Sequence, residues 1–233
     1  LAILPVWMGR YIEIVGEKSS ESIADTLING IFGRVTGDAG SRFVIAIGQA
    51  IFLVLFLILY GDCIAARQRI GAVYFFSRIS NRKKWILKEF VWLLFYSVLY
   101  TFCFVGMHMI FSIWGSSEAN LSGTLFKVAF QIGLFLTLLL FEMAVLCNLF
   151  CAAGGSAIGI LLSMLCVIGL IMCSTAEVDG VVSEMINPMW LSADIIENGG
   201  SYIQKIIIVF LQTAICAVGT GYYLAKRDLF ARE

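Results

Sequence analysis

An all-α, polytopic membrane fold is predicted by three features of the 233-residue chain. Hydrophobic residues make up 60% of it and charged residues only 14%, outside the range of a soluble globular protein. Its mean hydropathy is +0.93. Its apolar segments are continuous for about 20 residues, the length that crosses a bilayer core, and lack the alternation that barrel strands show. Five such runs predict five transmembrane helices, at about 43–62, 90–113, 128–150, 156–174 and 203–225. They form one transmembrane domain over 43–233, behind an external segment over 1–42.

Taken in order, the chain opens on "LAILPVWMGRY", which reads as the outer end of an earlier helix with Trp7 and Tyr11 at the interface. A further helix is therefore expected upstream, making six in the full protein; a processed signal segment is the alternative. In "SSESIADTLINGIFGRV", Ile23, Leu27, Ile28, Ile31 and Phe32 fall on one face, and Ser22 with Asp25 forms a weak capping signal. This predicts an amphipathic helix lying on the outer leaflet, or a lid over an external opening.

Between the first two runs, residues 66–90 carry seven Lys or Arg and one acid. With Lys226, Arg227 and Arg232 of the tail, ten of the sixteen basic residues fall on one side, which the positive-inside rule makes cytoplasmic. The segments on the other side, 1–42, about 114–127 and about 175–205, hold eleven acids and six bases. The loop over 63–89 is thus read as cytoplasmic, the loop over 175–202 as external, and the C-terminus as cytoplasmic.

Within the membrane, Glu142 lies about 12 Å from the inner end of its helix, where a charged group costs on the order of 3 kcal/mol to insert. Gln131 stands three turns earlier on the same stripe, with Phe135 and Leu138 between. That stripe is expected to face protein or a cavity. Either Glu142 is protonated and hydrogen-bonded to a neighbouring helix, or Gln131 and Glu142 line a substrate path. His108, near the outer end of the second run, reads as an interface residue.

Small residues recur at every fourth position in Gly155, Gly159 and Ser163, and again in Thr213, Ala217 and Gly221. That spacing lets membrane helices approach closely, and both stripes are read as internal packing faces. The seven cysteines lie in or beside apolar runs and form no external disulfide framework. Cys147 and Cys151 share a helix face, but with one His in the chain a metal site there is not expected.

The basic loop admits two readings. Its Arg and Lys residues set topology and meet anionic lipid heads. Alternatively Ile70, Val73, Tyr74 and Ser77, spaced i, i+3, i+4, i+7, give a short flat helix with an apolar face and a basic rim, suited to docking on a soluble partner. The run "RQRIGAVYFFSRISNRKKWILKEF" resembles the cytoplasmic coupling segment of ABC-2 type transporter permeases. "INPMWLSADIIENGG", a last apolar helix and "YYLAKRDLFARE" are similar to that family's Asn-Pro external segment, final helix and Arg-Asp ending. Where the family commonly places an acid-rich pair before the glycine, this chain has Arg67 and Arg69.

The resemblance implies a permease subunit of an ATP-driven exporter in a plasma membrane, bacterial in type. Arg67, Arg69, Ile70, Gly71, Val73, Tyr74, Ser77 and Arg78 would then contact a separate cytoplasmic ATPase. That partner would carry ATP and Mg, and this chain would bind no cofactor; no G-x-x-x-x-G-K-[ST] loop occurs in it. A second permease copy or a paralogue would complete the path, and no nucleic-acid partner is expected. The alternative is a membrane subunit that confers resistance or senses a ligand without transporting. An intramembrane enzyme would need paired groups, and the chain offers only isolated Glu142 and His108.

Overall fold

The computed structural model describes Leu27, Ile31, residues 39–71, 82–115 and 123–175, Ile195, Ile196, and residues 199–226. Six helices lie among them: α1 (Ala39–Tyr60), α2 (Cys63–Gly71), α3 (Arg82–Gly115), α4 (Gly123–Gly154), α5 (Ser156–Thr175) and α6 (Gly199–Lys226). The fold is all-α and polytopic. Four stretches are long and apolar enough to cross a membrane, Ala50–Arg69, Arg82–Ile110, Gly123–Gly154 and Gly199–Lys226, and α5 is a shorter apolar helix.

Relative direction follows from paired contacts. Along α1 and α3, Phe52 meets Phe104 at 4.1 Å between ring centroids, Phe56 meets Tyr100 at 5.2 Å, and Tyr60 meets Tyr96 at 4.9 Å. One number rises as the other falls, so the two helices are antiparallel. Tyr100 also donates its hydroxyl to the Phe52 carbonyl at 3.2 Å, which satisfies the polar tip of an otherwise apolar ladder. Between α4 and α6, by contrast, Gln131 pairs with Tyr202 and Glu142 with Thr213, a constant offset over three turns. Those helices are parallel, so the chain between them must return, and α5 carries that return.

Gly155 makes the reversal between α4 and α5 possible. It has φ 95° and donates its N–H to the Cys151 carbonyl at 3.0 Å, ending α4 in the left-handed conformation that glycine adopts without a Cβ penalty. The returning α5 then packs against α4 so closely that a Cβ on Gly159 would overlap the Cys151 backbone and lie 2.6 Å from its Sγ. The small-residue stripe over Gly155, Gly159 and Ser163 is thus an internal face; Ser163 is buried and returns its hydroxyl to the Gly159 carbonyl at 2.8 Å.

The core is centred on α4, where every residue from Leu139 to Val145 is buried. The other helices surround it with one face each and turn the other outward, as Leu59, Phe102, Phe130 and Val218 do. Leu27 and Ile31 are helical and join the buried core, so this part of the predicted amphipathic segment covers protein. His108 is buried against the Phe104 ring, 4.5 Å between ring centroids.

Helix ends depart from the apolar runs. α3 begins at Arg82, eight residues before the run at 90, and α2 makes residues 63–71 of the basic loop helical. Helical hydrogen bonding does not stop where hydrocarbon ends: 34 residues of α3 span about 51 Å, against about 30 Å of bilayer core. For the same reason α4 and α6 start at Gly123 and Gly199, ahead of their runs at 128 and 203.

Candidate functional site

One end of the bundle gathers the basic residues of α2, of the start of α3 and of the end of α6, and here α2 is held by three other helices. An isolated short helix has unsatisfied N–H groups in its first turn. In α2 the Asp62 carbonyl accepts from the Ala66 N–H at 2.7 Å, which makes Asp62 the N-cap residue. The next orphan donors are met from elsewhere in the chain. Asn148 of α4 places its Oδ1 2.9 Å from the Ile64 nitrogen and 3.1 Å from the Ala65 nitrogen, accepting from both. Its own amide donates to the Ala144 carbonyl at 2.8 Å, which fixes the side chain's orientation. Asn148 is fully buried.

The Asp62 side chain, released from capping its own helix, accepts from the Ser156 hydroxyl at 2.7 Å and so ties the α1–α2 junction to the start of α5. Arg69 reaches the same pair, donating to the Ser156 Oγ and standing 3.8 Å from the Asp62 carboxylate. On the other side of α2, Arg67 pairs at 2.5 Å with Glu89 of α3, which is nearly buried. Gln68, between the two arginines, is buried with an Oε1 that has no hydrogen-bond partner among the described residues.

Of the residues assigned to coupling, Arg67 and Arg69 therefore enter polar ties to α3 and α5, and Ile70 and Gly71 are the last residues of α2. Val73, Tyr74, Ser77 and Arg78 lie outside the described residues. Asn148, Ser156, Asp62 and Glu89 were not singled out from sequence. Glu89 was visible as the lone acid in a basic run, whereas Asn148 shows its partners only once residues 84 apart are brought together.

A second polar region runs along the seam between α4 and α6. Near one end, the Tyr202 hydroxyl donates to the Gln131 carbonyl at 2.7 Å, and Lys205, one turn further on, is buried. The Gln131 Oε1 has no hydrogen-bond partner among the described residues. Midway, Glu142 is buried with Thr213 Oγ1 3.3 Å from its Oε2 and Cys216 Sγ 3.9 Å from its Oε1. The same Thr213 hydroxyl donates to the Val209 carbonyl at 2.8 Å. Gln131 and Glu142 share this seam but stand about 16 Å apart along the axis, each with its own partners on α6.

Cys147 and Cys151 bring their sulfurs to 3.9 Å, both buried; among the described residues no three His, Cys, Asp or Glu side chains gather as a metal site. The arrangement at the basic end is a short helix tied by polar side chains to α3, α4 and α5. No protein-family model, curated protein or solved structure matches the chain.

Proposed function

We propose that this chain is the membrane-spanning permease subunit of an ATP-driven ABC exporter, driven by a separate cytoplasmic ATPase that docks on residues 66–84. The observation that supports this reading best is the three-way attachment of α2. A docking helix transmits force only if it is tied to the helices that must tilt, and Glu89, Asn148 and Ser156 tie α2 to α3, α4 and α5. The resemblance of residues 67–90 to a coupling segment points the same way, and the positive-inside rule puts this end of the bundle in the cytoplasm. Closure of the ATPase pair would then push on α2 and shift the bundle between inward-open and outward-open states. A second permease copy or a paralogue would complete the path, and ATP with Mg would sit on the partner ATPase.

Purification of the tagged chain from its native membranes should carry along an ATPase bearing a G-x-x-x-x-G-K-[ST] loop. The double change Val73→Asp, Tyr74→Asp adds charge to the predicted docking face and leaves every Lys and Arg in place, so insertion is expected to survive. Most of the ATPase should be lost from the purified material, and ATP-dependent export with it. A double variant that keeps its ATPase, or a wild-type chain that brings none, would overturn the proposal.

A further inference from the structure

Near its end α4 carries a pair of thiols that the transport reading leaves unused. Cys147 and Cys151 stand one turn apart on the same face, with their sulfurs 3.9 Å from each other and both side chains buried. Opposite each sulfur the chain places a glycine. A Cβ on Gly61 would lie 2.7 Å from Cys147 Sγ, and one on Gly159 would lie 2.6 Å from Cys151 Sγ. The pair is thus seated between the α1–α2 junction and α5. It lies close under the surface, since Ala153 and Gly154 at the end of the same helix are exposed.

What two such sulfurs can hold is set by their spacing. A disulfide needs Cβ atoms about 3.5–4.5 Å apart, whereas positions i and i+4 of a helix keep them at about 5–6 Å, so direct oxidation would distort the last turns of α4. A single atom bridging the sulfurs spans the gap without that distortion. Zinc takes about four ligands, and among the described residues no third His, Cys, Asp or Glu joins the pair. A trivalent arsenical that already carries one organic group needs two sulfurs and no more.

We propose that Cys147 and Cys151 form a dithiol site for a monosubstituted trivalent arsenical, R–As=O. Two As–S bonds form, the two thiol protons leave with the arsenic-bound oxygen as one molecule of water, and no atom is oxidised or reduced. The product is uncharged, so an apolar interior accepts it without burying an ion. The bridged turn contains Asn148, whose Oδ1 accepts from the Ile64 and Ala65 N–H groups. An occupied site therefore clamps the turn of α4 that holds α2. The site is independent of the transport reading.

The test treats the reduced, purified full chain in detergent micelles with phenylarsine oxide, removes the excess, unfolds the chain and blocks every remaining thiol with N-ethylmaleimide. One arsenical per chain should add, protecting two cysteines that proteolysis and mass spectrometry map to Cys147 and Cys151. Dimercaptopropanol, a dithiol, should remove it, and a monothiol at the same concentration should not. Cys147→Ser and Cys151→Ser keep nearly the same shape, and each should weaken binding about a hundredfold or more, because no second, intramolecular As–S bond can then form. The mapping is made on the wild type and stands even if a Ser variant fails to fold. Protection of other cysteines in place of this pair, an adduct that forms only when the arsenical is added to unfolded chain, or binding kept in either Ser variant would overturn the site.

Discussion

Asn148 illustrates how one buried amide can define a helix that its own sequence would not hold. α2 has nine residues, too few to be stable alone, and two of its leading N–H groups depend on an acceptor that the chain supplies from α4. Replacing Asn148 by Leu keeps the volume but leaves both donors buried and unmet. The expected loss is about 2–6 kcal/mol, given about 1–3 for each unsatisfied group, read as a shift in an unfolding titration in mixed micelles. A loss below about 0.5 kcal/mol would mean that α2 is held by other contacts. Ser156→Ala removes a more exposed tie and should cost less, about 1 kcal/mol.

Glu142 poses a problem of proton counting at the same scale. A threonine hydroxyl has one proton, and Thr213 directs it at the Val209 carbonyl at 2.8 Å, the shorter of its two contacts. The 3.3 Å contact to the Glu142 Oε2 is then the weaker alternative for the same hydroxyl proton. Gln keeps an oxygen that can accept it. Glu142→Gln is expected to unfold within about 0.5 kcal/mol of wild type, whereas Glu142→Leu should lose about 0.6–1.7 kcal/mol, the range of interhelical hydrogen bonds in membranes. Instability of the Gln variant would show that the negative charge itself is structural.

At the scale of elements, the small-residue stripes were legible in the sequence and the helix ends were not. Gly159 and Ser163 could be recognised because close approach leaves a spacing in one helix alone. The second stripe also turns inward: Thr213 reaches Glu142, and a Cβ on Gly221 would meet the Phe90 ring at 3.3 Å. Helix ends escaped because hydropathy reports the bilayer and not the backbone, so the lysines at the start of α3 look like loop while being helical. Two glycines of α5 test the packing argument within one element. Gly159→Ala must push α4 and α5 apart and should destabilise by about 1–3 kcal/mol, as overpacking does. Gly169→Ala, with nothing within 4 Å of its Cβ, should gain up to about 1 kcal/mol from helix propensity. Equal effects of the two in the same unfolding assay would remove the distinction on which the α4–α5 face rests.

For the whole molecule, the polytopic helical character and the clustering of positive charge could be read from composition and order, because both are one-dimensional properties. The attachment of α2 to α4 and α5 could not, since those bonds join residues 83 to 94 positions apart. The parallel pairing of α4 and α6 adds an independent constraint on topology. If α4 and α6 run the same way and α1 opposes α3, then the α2 end, the start of α3, the α4–α5 turn and the end of α6 share one side. The ends of α3 and α5 share the other. In the orientation proposed above, the positive-inside rule would make the first side the cytoplasmic one. In a cysteine-free background, a membrane-impermeant maleimide added from outside should therefore label a cysteine placed at Ser116 or Asp179, and should reach one placed at Asn81 or Ala231 only after the membrane is opened. Labelling of all four from one side would break the alternation and with it the parallel α4–α6 pair. A clean reversal would leave the bundle standing but turn the basic end outward, where no ATPase could reach α2.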